Sequence, residues 1–131
     1  MSQRRDVSSE SEFEATVGYS RAVRVGPYVA VSGTTAPGDT IADQTREALR
    51  RIETALLRSG ASLSDVVRTR MFVTDISRWR EVGAVHGEVF GRIRPAATMV
   101  EVSALISPEL MVEIEADAYV SGENEPSGSG T

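Results

Sequence analysis

The chain offers few groups that can move a proton or hold a charge, and they are spread along its length. Glu113, Glu115 and Asp117 recur at every second position of an otherwise apolar run, Met111 to Val120. In an extended segment that spacing puts the three acids on one face, with Val112, Ile114, Ala116 and Ala118 on the other. A carboxyl in a half-buried cleft has its pKa raised toward neutrality, as a general base requires; on an open strand the same acids form a solvated face. His86 is the single histidine. It cannot form a two-histidine acid–base pair, and it falls beside an apolar helical stripe, where a boundary or interface role competes with a place in a cleft wall. Arg92 and Arg94 stand just before Pro95 and are either a cation pair for a ligand or loop charges. Ser32 lacks the Gly-x-Ser-x-Gly surroundings of an activated nucleophile. Gly33, next to it, is better suited to offer its backbone N–H to a ligand oxygen.

The composition limits the chemistry further. There is no cysteine, which excludes disulfides, zinc–thiolate sites and thiolate nucleophiles and suits a reducing compartment. No metal or cofactor site is expected. The formal charge is −5, and the densest basic clusters (Arg4-Arg5, Arg50-Arg51, Arg92-Ile93-Arg94) are not interleaved with aromatics. Nucleic acid is therefore a poor candidate partner. No apolar run is long enough to cross a membrane. Met1–Asp6 is polar with no apolar core behind it, so no secretion signal is expected and the cytoplasm is the expected location.

These groups need elements to position them. The 131 residues, 40% apolar, fit one domain with a modest core, which oligomerisation would extend. Residues 1–16 are polar and read as a flexible arm, 17–120 as the folded body, and 121–131, rich in Gly, Ser and Pro, as a disordered tail. Ser20–Val25 alternates, with Ser20, Ala22 and Arg24 on one face and Arg21, Val23 and Val25 on the other. Gly26-Pro27 then turns the chain into Tyr28–Gly33, making a hairpin. Thr40, with Asp43 three residues on, caps a helix whose Ala48, Leu49, Ile52, Ala55 and Leu56 repeat at helical spacing up to Gly60. Ser62 and Asp65 form a second capping pattern ahead of a strand, Val66–Val73. A second helix carries Trp79, Val82, His86, Val89 and Phe90 and stops at Gly91, with Trp79 packing at its start. Ala97–Ser103 and Met111–Val120 complete the order β-β-α-β-α-β-β, an α+β layer fold with both helices on one sheet face.

Tyr19-Ser20-Arg21-Ala22-Val23-Arg24-Val25-Gly26, then Val31-Ser32-Gly33, resembles the N-terminal hairpin of RidA/YjgF proteins. Gln44-Thr45-Arg46-Glu47-Ala48-Leu49 resembles the start of their first helix. Asp65-Val66-Val67 and Val73-Thr74-Asp75 resemble their third-strand region. Arg94-Pro95-Ala96-Ala97-Thr98-Met99-Val100-Glu101-Val102, followed by Val112-Glu113-Ile114-Glu115-Ala116, is the most specific match. The resemblance runs from about Gly18 to Val120 in order and spacing. It implies a chorismate-mutase-like α+β domain, a homotrimer, and small-molecule clefts between subunits. It also implies hydrolysis of reactive enamines or imines, such as 2-aminoacrylate, with Glu113 positioning water. Tyr19, Ser32, Gly33, Phe90, Thr98 and Met99 would then line the cleft. In the imine deaminases an arginine follows Pro-Ala and grips the substrate carboxylate; Ala97 stands there in this chain. At positions where the family's second helix carries Asn, Tyr and a Phe pair, this sequence has Gly83, His86, Val89 and Phe90. The expectation is an imine- or enamine-directed protein that is not a standard 2-aminoacrylate deaminase. A non-catalytic binding trimer is the alternative, and endoribonuclease activity is disfavoured by the acidic charge and the lone histidine.

Overall fold

The computed structural model describes residues 3–121. The chain runs β1 (Arg4–Val7), α1 (Glu12–Val17), β2 (Ala22–Val25), β3 (Tyr28–Thr34), α2 (Ile41–Arg58), β4 (Val66–Val73), α3 (Trp79–Phe90), β5 (Ala96–Glu101) and β6 (Val112–Tyr119). The strands form one sheet in the order β1-β2-β3-β6-β4-β5. All neighbours are antiparallel except β4 and β5, which α3 connects in parallel. The expected α+β arrangement of one sheet and few helices is what the chain adopts.

Local chemistry accounts for the helix ends. The Thr40 hydroxyl accepts from the Asp43 N–H at 3.0 Å, starting α2. Gly60, at φ 80°, takes the left-handed turn that ends it, and Ala61 N–H closes on Leu56 C=O at 2.8 Å. Ser62 and Asp65 make the reciprocal capping box of a 3-10 turn before β4. Alternation then decides the sheet faces. Val112, Ile114, Ala116 and Ala118 of β6, with Val29 and Val31 of β3, pack under Ala48, Leu49, Ile52, Ala55 and Leu56 of α2. Each Val, Leu or Ile among them stabilises the fold by about 1.5–3 kcal/mol on burial, and each Ala by less. Gln44, also buried, fastens α2 to the loop before β6: its Nε2 donates to Gly38 and Glu109 carbonyls, and its Oε1 accepts from Met111 N–H.

Two expectations change and a third is not reached. Residues 1–16 are not a plain arm, because β1 pairs with β2 (Arg4 opposite Val25, Val7 opposite Ala22) and α1 follows. A polar segment can order here because Glu14, buried, collects the hydroxyls of Ser8 and Ser9 and the Ser9 N–H. Trp79 does start α3, yet it is 46% exposed and stacks on Arg80, whose guanidinium carbon lies 4.5 Å from the ring centre. The expected disordered tail lies, beyond Ser121, outside the described residues.

The Glu14 knot makes a testable contribution. The Ser9 hydroxyl above all, with the Ser9 N–H, the Ser8 hydroxyl and the charge of Arg21, holds the Glu14 carboxyl below its ordinary 4.5 against an opposing desolvation. A depressed folded-state pKa means that this stabilisation is complete above about 4.5 and drains away as pH falls below it. Glu14→Gln should flatten that part of the stability-versus-pH curve, measured by chemical denaturation between pH 3 and 7. An unchanged slope would contradict the assignment.

Candidate functional site

The sheet face away from α2 and α3 carries the three acids of β6, and the structure treats them unequally. Arg70 of β4 pairs with Glu115 at 3.1 Å and Asp117 at 3.4 Å. Tyr28 donates to Asp117 at 3.2 Å. The Glu113 carboxyl, half-buried, makes no hydrogen bond or ion pair among the described residues. Desolvation pushes its pKa above the usual 4.5; the negative charge of Glu115 adds to the rise and Arg21 opposes it. Two members of the acidic row are thus satisfied structural groups, and the third has no partner among the described residues.

A break in β3 puts Glu113 where it is. Val31 sits opposite Ala116 and Thr34 opposite Ile114, so the chain bulges at Ser32-Gly33. The Glu113 carboxyl fills the space a side chain at residue 33 would need: a Cβ built on Gly33 would lie 2.1 Å from Oε2 and 2.9 Å from Cδ. Glycine is required there to admit the acid. The bulge is pinned from its other side. Arg21 Nη1 donates to the Gly33 carbonyl at 3.1 Å and to the Thr34 hydroxyl at 2.8 Å. Thr34 Oγ1 donates on to the Ser32 carbonyl, and the Ser32 hydroxyl donates to Ser20 C=O at 2.6 Å. Tyr19 stands beside this group, its ring 5.7 Å from the Arg21 guanidinium carbon.

The other expected residues gather elsewhere. Register places residue 97 of β5 beside Thr69, on the helix-covered side of the sheet, and Thr98 beside Arg70, on the open side. Ala97 and Thr98 are exposed, and Met99 packs partly against the core. His86 reaches Thr69: its Nε2 lies 2.9 Å from Oγ1, and burial lowers its pKa from 6.5. Phe90, expected to line a cleft, is only 2% exposed and belongs to the core, with its ring 4.7 Å from that of His86. Arg92 and Arg94 are exposed in the turn before β5. From β5 to β6 is two strand spacings, roughly 10 Å. One chain therefore brings together Tyr19, Ser32, Gly33 and Glu113 but leaves Ala97, Met99, His86 and Phe90 on another side of its sheet. Among the described residues no cluster of His, Asp and Glu could hold a metal ion, and no helix is long and apolar enough to cross a membrane.

A family model described as Endoribonuclease L-PSP matches residues 9–120. The chain belongs to this family, the RidA/YjgF proteins. Its relatives share the architecture closely. The crystal structure of Rv2704 from Mycobacterium tuberculosis, described as a member of the YjgF/YER057c/UK114 family, superposes with a TM-score of 0.89 at 70% identity, over 90% of this chain and 100% of that one. The YjgF product of E. coli superposes with a TM-score of 0.73 at 27% identity, over 77% and 87%. A RutC family protein of Pyrococcus abyssi is 34% identical over 110 residues, 77% of this chain and 85% of its own length. The RidA/YjgF match begins at residue 9, so it takes in α1 and half of the segment expected to be an arm.

Sequence reasoning missed two groups at the site. The alternation gives Arg21 only a strand face shared with Val23 and Val25, and its contacts are with residues 12 and 13 positions away. Thr69 falls within the expected strand Val66–Val73 with no partner assigned to it. The alternation around each was legible, but the partners were not.

Proposed function

We propose that this protein binds a small imine or enamine in clefts between the subunits of a homotrimer and hydrolyses it, with Glu113 as the proton-transfer group. The observation that carries the reading is the unpartnered, half-buried Glu113 carboxyl seated against Gly33. A carboxyl with a raised pKa is a stronger base when ionised and can both take and return a proton. It accepts a proton from water as the water oxygen bonds to the C=N carbon and the π pair moves to nitrogen. It delivers that proton to the nitrogen to give a neutral aminol, then takes the aminol hydroxyl proton and passes it to the same nitrogen, so that the C=O bond forms as the C–N bond breaks, leaving a carbonyl compound and ammonia or an amine. For an enamine, the protonated acid first supplies the β-carbon. The separation of the Glu113 group from the residue 97 edge within one chain supports a cleft completed by a second copy, and the small size of the domain favours such an assembly. Thr98, exposed on the open side of β5, then lines the crevice from the neighbouring copy.

Ala97 gives the β5 wall no cation, so the favoured substrate is not gripped there as 2-aminoacrylate is gripped by the imine deaminases. The same alanine favours a second reading, a trimer that binds such metabolites without turning them over. RNA cleavage is disfavoured by the net charge of −5 and by a single histidine already bonded to Thr69.

The test is ammonia and carbonyl release from a panel of imines generated in situ, with Glu113→Gln as the control. No acceleration of any imine would leave the binding-only reading. Ala97→Arg should raise kcat/KM for 2-aminoacrylate at least about tenfold, since a guanidinium offers a bidentate, charge-assisted grip. No gain would mean that residue 97 does not reach the substrate carboxylate.

A further inference from the structure

The site contains a cation that the sequence pattern does not reveal. Arg21 is half-buried at the bulge, on the same peptide that Glu113 rests against. Among the described residues only one of its nitrogens is engaged: Nη1 donates to Gly33 C=O and Thr34 Oγ1. Nε and Nη2 have no protein acceptor among the described residues. That pair is one edge of the guanidinium fork, with two parallel N–H groups spaced to meet the two oxygens of a carboxylate. Tyr19 lies against the guanidinium and limits its swing. The other acids of the open face are taken by Arg70, and Glu113 and Arg21 do not close an ion pair on each other, so neither charge is neutralised by the other.

The geometry points to Arg21 as the group that binds the carboxylate of an oxo or imino acid, with the acid end toward β2 and the reacting carbon toward Glu113. Anion recognition enters from the hairpin side of the cleft instead of from position 97, on the same chain as the proton-transfer group. Arg21 then selects the acid form of such a substrate over its neutral counterpart. The inference rests on the imine reading above and specifies which substrates that site prefers. The rival role for Arg21 is purely structural, a clamp on the bulge carbonyls. Such a clamp would not distinguish charged from neutral ligands.

The experiment uses the full-length protein and two oxo acids as product analogues, pyruvate and 4-oxopentanoate, each compared with its methyl ester. Binding is read by calorimetry and by competitive inhibition of imine hydrolysis. The native protein should bind at least one acid about tenfold or more tighter than its ester. Arg21→Gln should bring that ratio to near one, and Arg21→Lys, which keeps the charge and loses the fork, should fall between. Equal binding of acid and ester by the native protein overturns the proposal without needing any variant to fold. So does a preference that survives in folded Arg21→Gln, or one that vanishes only in Arg92→Gln or Arg94→Gln. In all three cases native hydrolysis of a neutral imine, measured in parallel, shows whether the reaction assigned to Glu113 still stands.

Discussion

Gly33→Ala is expected to fold and to lose imine hydrolysis by about two orders of magnitude. The added methyl would sit 2.1 Å from Glu113 Oε2, 2.9 Å from Cδ and 3.3 Å from Cγ, which no packing tolerates. The atoms it meets are the free end of a rotatable side chain, not backbone. Relief comes from Glu113 swinging out, so the fold bears an overpacking strain of at most about 1–3 kcal/mol. The chemistry takes the greater loss, because moving a reacting group by about 1 Å can cost on the order of 10²-fold. Two measurements separate the effects: kcat/KM for the best imine, and the melting temperature. A carboxyl carbon titration by NMR adds a third, since Glu113 turned into solvent should titrate back toward 4.5. Retained activity with an unmoved Glu113 titration would mean that the bulge adjusts by another route.

Glu113→Gln should reduce hydrolysis by about 10²–10⁴-fold, the usual contribution of a positioned acid–base group. Glutamine keeps the shape and removes the exchangeable proton, so ligand binding is expected to survive. The pH dependence supplies a second signature. Glu113 has its folded-state pKa raised above 4.5, chiefly by desolvation, so the folded protein holds this proton more tightly than the unfolded chain does. Its charged form is therefore a burden on stability above the raised pKa, and the burden lifts as pH falls through that value toward 4.5. Glu113→Gln should lose this gain on acidification. The native kcat/KM should decline on the acid side with an apparent pKa above 4.5, because the base must be ionised to accept a proton from water. A limb at or below 4.5 would assign the catalytic ionisation to another group.

How much could be read from the chain depended on how local the cause was. The ends of α2 were legible because Thr40, Asp43 and Gly60 act within a few residues of themselves. The faces of β6 were legible because alternation is a property of consecutive positions. β1 and α1 were not: Arg4-Arg5-Asp6-Val7 has no strand signal of its own and orders by pairing with β2, while α1 depends on the Glu14 knot with Ser8 and Ser9. The same division runs through the site. Glu113 could be picked out by its place in the acidic row. What separates it from Glu115 and Asp117 is Arg70, which is 45 residues from the first and 47 from the second along the chain. Arg21 gains its meaning from a bulge in a different strand. Phe90 was read as a wall residue from its place in a motif, but its spacing on α3 with Val82 and Val85 takes it into the core.

The two margins of the sheet are built differently. β1 presents Arg4, Arg5 and Asp6, whose charges discourage another strand from lying alongside. β5 presents Ala96-Ala97-Thr98-Met99-Val100, uncharged until Glu101, with its outer backbone groups facing away from β4. Lateral growth of the sheet is thus blunted on one flank and open on the other. Any strand that docks, from another copy or from an unfolded neighbour, is directed to the flank that carries residue 97. A lysine at Thr98 would close that flank as the charges already close the first.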